Sequence, residues 1–250
     1  MAKLEGILPL RGTLQNITFT PTSNGVIAKV KSSLDKDRIY NDPAFDRTRK
    51  NASDFGTAGK AAKLVFDAFR YSVKWATYQL IFSDVVQMMR RALDGDSVNG
   101  KGKRTVDGVD LSIMEGFNFN KNCALHNTCL FPFSTSVNRA TGEAEISLPA
   151  YQPTLSIKAP AGATHYRLVG TAAELDFGAR QMNKAVLRTD HLSLADAVAE
   201  GVSLSFLLTP GSIHPIGLSL GIEFYQSAGG RLYLLKQGCA HVIVGVEAIL

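Results

Sequence analysis

Three short stretches hold residue types at spacings that could do chemistry. Gly217-Leu218-Ser219-Leu220-Gly221 matches the G-x-S-x-G turn that raises a serine nucleophile. A hydrolase built on it would need a histidine and a carboxylate beside the serine, and His214 with Asp190 or Asp196 are the candidates. The nucleophile elbow requires a strand-to-helix turn, yet Ile222 to Tyr225 read as continuing strand, and the chain order Ser-Asp-His is not obeyed. Ser219 is therefore expected on one face of a strand.

Cys123, His126 and Cys129 in CALHNTC suggest zinc. Extended, the two cysteines lie about 20 Å apart, and on a helix about 9 Å apart, so only a loop could join them. No fourth ligand at finger spacing follows, and the five histidines show no His-x-x-His or His-x-His pair. The cysteines are read as buried or incidental, and the histidines as surface or satisfied core residues. No metal or cofactor site is expected. Gly59-Lys60 ends a stretch resembling a phosphate loop, but Asp54 stands where the first glycine belongs and Ala61 where the magnesium-binding hydroxyl belongs.

The elements that must carry these residues follow from pattern and composition. The chain has 250 residues, 45% of them hydrophobic and 20% charged, which suits a folded protein of one large or two modest domains. No apolar run reaches the roughly 20 residues of a membrane helix. The first residues lack an apolar stretch of signal-peptide length, and three cysteines make no disulfide framework, so a cytoplasmic location is expected by default. Export by an unconventional route stays open. The net charge of +5 is uneven: 18 Lys and Arg face 12 Asp and Glu through Asp110, and 9 face 10 beyond it. The Gly-rich, charged loop 94–108 is the expected boundary between a unit at 1–108 and a unit at 109–250.

In the first unit, Leu14–Phe19 and Val26–Lys31 around Asn24-Gly25 predict a β-hairpin, with Pro21 and the lysines suited to an exposed edge. A helix is expected from Asp42-Pro43, aspartate capping and proline in the first turn. Ala61, Val65, Ala68, Phe69, Ser72, Val73 and Ala76 share one face of it. Lys60, Lys63, Arg70 and Lys74, interrupted by Asp67, share the other. A second helix, from about Thr77 to Leu93, carries Leu80, Ile81, Val85, Met88, Met89 and Ala92.

The second unit reads as all-β. Strands are expected at Leu130–Val137, Glu143–Leu148, Thr154–Lys158, His165–Val169, Ala173–Phe177, Val202–Leu208, Gly217–Tyr225, Arg231–Lys236 and Ala240–Ile249. The fold class expected is α+β: an N-terminal β-hairpin and helical unit, then an immunoglobulin-like sandwich.

The stretches GTLQNITF, NDPAFDRTRKNASDFGTAGKAAK, FNFNKNCALHNTCLFPF, APAGATHYRLV and LGIEFYQ resemble those of a family of Bacteroidota proteins defined by a domain of unknown function. Two departures are Thr20, where an aromatic is frequent, and Lys50-Asn51, where Glu-Asn is frequent. The resemblance implies source and domain pairing and transfers no catalytic residue.

With no coherent catalytic set, the function expected is that of a non-enzymatic structural or assembly protein, linked to secretion, surface or mobile-element machinery. Its expected interaction surface is Arg47, Arg49, Lys50, Lys60, Lys63, Arg70 and Lys74, and its expected partner is protein, either a second copy or another chain. A ligand-, glycan- or nucleic-acid-binding module is the alternative, with nucleic acid the lesser partner because Asp42, Asp46, Asp54 and Asp67 lie among the basic residues.

Overall fold

The structure, a computed structural model, describes residues 2–4, 11–23, 25–30, 36–74 and 81–247. Of the expected elements, Asn24, Lys31, Ala76, residues 77–80 and Ile249 lie outside the described residues. The chain forms two compact units, Met1–Arg49 and Lys50–Leu250.

The first unit holds four antiparallel strands: β1 (Ala2–Leu4), β2 (Gly12–Leu14), β3 (Ile17–Thr22) and β4 (Gly25–Val30), in the order β1-β4-β3-β2. The expected hairpin is present as β3–β4, but Leu14 belongs to a separate strand, because the chain turns at Gln15-Asn16 with Gln15 at φ 50°. The expected edge strands are thus the inner pair. β2 stops opposite Phe19, so Pro21 has a strand neighbour on one side only, where a missing N–H is tolerated. Helix α1 (Lys36–Asn41) follows, then a 3-10 turn at Pro43–Phe45. As expected, Asp42 caps that turn, accepting from Ala44 N at 2.9 Å, with Pro43 in its first position.

Helix α2 (Asp46–Ala68) carries the chain into the second unit, followed by α3 (Arg70–Val73) and α4 (Ile81–Asp94). The expected buried stripe forms: Ala61, Val65, Ala68, Phe69 and Ser72 are all buried, as are Ile81, Val85, Met88, Met89 and Ala92 of α4. Short helices α5 (Leu125–Thr128) and α6 (Pro153–Ser156) punctuate the rest. The expected strand at Thr154–Lys158 is instead α6, begun by Pro153.

Two antiparallel sheets complete this unit. One has three strands, β5 (Ser134–Asn138), β6 (Glu143–Leu148) and β10 (Val202–Leu207), in the order β10-β6-β5. The other has five: β7 (His165–Asp176), β8 (Gln181–Arg188), β9 (Leu192–Ser193), β11 (Ile216–Ala228) and β12 (Arg231–Glu247), in the order β12-β11-β7-β8 with β9 on β7. The pairs expected at 165–169 and 173–177, and at 231–236 and 240–249, are each one long strand.

Strand alternation divides the larger sheet between two cores. Tyr166, Leu168, Ala172, Leu218, Leu220 and Ile222 pack with Ile146, Leu148, Leu204 and Phe206 of the smaller sheet. On the opposite face, Ala173, Leu175 and Ile243 pack with α2 and α4. Gly170 permits the close approach of the sheets, since a Cβ there would lie 2.7 Å from the Phe206 ring. The fold is mixed helix and strand, as expected, but the helices assigned to 1–108 share their core with the sheet assigned to 109–250. The unit division at Arg49/Lys50, rather than within 94–108, reflects this.

Loop 94–108 is folded down rather than extended as a linker. Asp96 accepts backbone N–H bonds from Val98, Asn99 and Thr105, each at 2.9 Å, which hold its carboxyl well below the usual range. Buried Asp54 accepts from Gly102 N at 2.8 Å, and Val106 and Val109 enter the helix-side core.

Candidate interaction surface and polar sites

Cross-strand register assigns the faces of the N-terminal sheet, because directly paired residues point the same way. Leu14 pairs with Ile17, Ile17 with Val30, Phe19 with Ala28 and Pro21 with Val26, so seven described side chains on one face are all apolar. The other face carries Thr13, Thr18, Thr20, Ile27 and Lys29, with the Thr13 and Thr18 hydroxyls 3.2 Å apart. A sheet gains independent stability by covering such a face. Here Leu14 is 70% exposed and Val30 76%, and no described residue from 11 to 49 is buried. The face spans roughly 300 Å², comparable with the largest apolar patch on an ordinary monomer, which often serves a function.

The basic residues expected to form the surface divide between the two units. Arg47 and Arg49 belong to the first unit, and Lys50, Lys60, Lys63, Arg70 and Lys74 to the second. Arg49 is a clamp: its guanidinium donates to the carbonyls of Ile39 at 2.8 Å and Asp42 at 2.9 Å, and lies 3.7 Å from Asp46. The stem of Lys50 lies against Gly102. Lys60, Lys63, Arg70 and Lys74 are exposed; Lys63 pairs with Asp67 at 2.8 Å, Arg70 lies 3.7 Å from the same carboxylate, and Lys74 sits over the Tyr71 ring.

The chemical look-alikes take definite places. Ser219 lies within β11, 1% exposed, its hydroxyl 3.4 Å from that of Ser72. His214 lies 3.6 Å from Asp176, and Asp190 and Asp196 are exposed. Cys123 Sγ donates to Gly238 O at 3.0 Å, Cys129 is buried and His126 exposed; among the described residues no His, Cys, Asp and Glu group could hold a metal ion. No described helix is long and apolar enough to cross a membrane.

Between α3 and the sheet lies a polar cluster that sequence patterning missed. Glu223, fully buried, accepts from Tyr71 Oη at 2.6 Å, Arg167 Nε at 2.6 Å and Tyr225 Oη at 2.9 Å, while Arg167 also donates to Tyr71 Oη at 3.1 Å. Burial pushes the Glu223 carboxyl up, but these three hydrogen bonds outweigh it and hold the group below its ordinary value. Beside it, His241 is buried with neither ring nitrogen hydrogen-bonded. The expectation of a satisfied histidine fails here. Burial pushes its imidazole down to about 4, against a smaller pull upward from Glu223.

Comparison with known proteins adds no likeness. No family model, curated protein or solved structure matches the chain.

Proposed function

We propose that the chain is a non-enzymatic structural protein that assembles through its N-terminal sheet, the apolar face of one copy lying on that of a second. The observation that carries this reading is the one-sided face of Leu14, Ile17, Phe19, Pro21, Val26, Ala28 and Val30, uncharged and with no described residue from 11 to 49 buried. Fully burying one such Leu, Ile or Val contributes about 1.5–3 kcal/mol, so covering even a few of them favours association. An uncharged face meets no like-charge repulsion from a second copy of itself, which a two-fold joint requires. With roughly 600 Å² covered between two copies, one joint is small beside a standard interface. The joint alone is therefore expected to hold weakly, and self-association to rise with protein concentration.

Sedimentation velocity over a wide concentration range tests this. Wild-type protein is expected to self-associate, no less at high salt than at low, because the joint is apolar. Ile17→Lys with Val30→Lys is expected to remain monomeric. A wild-type chain that is monomeric throughout would sink the proposal, and association lost at high salt would move the joint to the basic residues of α2.

A further inference from the structure

Helix α4 aligns Asp84, Gln87, Met88 and Arg91, spaced i, i+3, i+4 and i+7, along one stripe. That stripe forms one wall of a cavity of about 390 Å³, whose other wall comes from residues 113–121, Ile113 and Phe117 among them. The volume falls within the range of small-ligand sites. Its apolar lining is Met88, buried, with Phe117 partly buried and Ile113 exposed.

The cavity has four charged side chains, and three are engaged. Lys121 Nζ lies 2.7 Å from Asp84, and Glu115 Oε1 accepts from Val246 N at 2.9 Å. Arg91 makes no hydrogen bond or ion pair with any described residue, whereas its neighbour Arg90 lies within reach of both Asp54 and Asp94. Gln87 and Asn118, each with a side-chain amide, line the same cavity. A planar guanidinium with five donors fits a carboxylate in two parallel hydrogen bonds.

We propose that this cavity binds a carboxylate carried on an apolar body, the carboxylate on Arg91 and the apolar part against Met88 and Phe117. This goes beyond the assembly reading and is independent of it, since the cavity lies wholly in the second unit. Two sources share the chemistry: a free acyl carboxylate and the C-terminus of a peptide ending in an apolar residue.

Titration of the full-length protein, followed by NMR or calorimetry, tests it with octanoate, octylamine, N-acetyl-leucine and N-acetyl-leucinamide. Saturable binding is expected for octanoate, for N-acetyl-leucine or for both, and which of them binds identifies the source. Each neutral or cationic counterpart should bind about tenfold more weakly or worse. Arg91→Gln should weaken the carboxylate by a similar factor, and Arg91→Lys, which keeps the charge without the fork, should lose part of it. Arg91 is exposed, so both variants are expected to fold, and circular dichroism checks that they do. The proposal is overturned by octylamine matching octanoate, by Arg91→Gln binding as wild type does, or by no saturation up to about 10 mM of either carboxylate.

Discussion

The imidazole of His241 occupies the space that a side chain at Gly221, its direct partner across β11 and β12, would need. A methyl group there would run into the ring itself, in a cluster closed on one side by Glu223 and on another by Tyr71, whose ring centroid lies 6.1 Å from that of His241.

Gly221→Ala is therefore expected to cost about 1–3 kcal/mol, the range for overpacking a tight core. Gly56→Ala in α2, where nothing lies within 4 Å, is expected to gain about 0.5–1 kcal/mol from helix propensity. Urea unfolding of the two variants beside wild type reads both signs in one experiment.

His241 makes stability fall with acid. Its folded value of about 4 lies below the unfolded value near 6.5, so the unfolded chain takes up a proton first and stability is lost as pH drops between those limits. The loss is on the order of 3 kcal/mol. His241→Leu should flatten this part of the pH–stability curve, and an unchanged curve would mean that the ring finds a partner on protonation.

Glu223 acts through the same cluster. Its folded value is depressed, so its contribution is present above the unfolded carboxylate value and lost as pH falls through the folded one. Glu223→Gln leaves Arg167 without its counter-charge and is expected to cost about 3–5 kcal/mol at neutral pH. Arg167→Met with Glu223→Leu should recover part of it. Thermal melts of the single and double variants separate the pair's worth from the penalty of a stranded charge.

Arg47 and Arg49 should part company. Arg49→Ala removes two hydrogen bonds to carbonyls and should cost about 1–3 kcal/mol locally, visible as faster amide exchange across residues 38–45. Arg47→Ala, on the exposed side of the same helix, should stay within about 0.5 kcal/mol.

Local signals carried much of this fold into the sequence. Asp42-Pro43 announced a helical start, and the stripe from Ala61 to Ser72 announced the buried face, because both depend on neighbours a turn or less away. Long-range effects were hidden. The strands expected at 165–169 and 231–236 stop short of Gly170 and Gly238, yet the first sits mid-strand where the small sheet presses close, and the second, at φ 89°, lies in the irregular stretch of β12 that no residue of β11 opposes. β8 escaped notice because QMNKAVLR, on the sheet's margin, is mostly exposed and half polar, without regular alternation. Glu223 and His241 come from different strands, and nothing in either segment reveals that they share a face. The apolar sheet face was half-legible: the hairpin was plain, but the turn at Gln15-Asn16 that aligns Leu14 with Ile17 was not.

β12 contributes Ile243 to the core shared with the helices and Ala240 to the core shared with the smaller sheet. During synthesis at 5–20 residues per second, α2 and α4 therefore wait on the order of ten seconds, their apolar stripes exposed, before that strand is made. Neither layer can close on a finished sheet until then, and the pairing that finishes it is non-local and slow. The yield of folded chain should therefore depend more on translation speed and temperature than the stability of the finished fold would suggest.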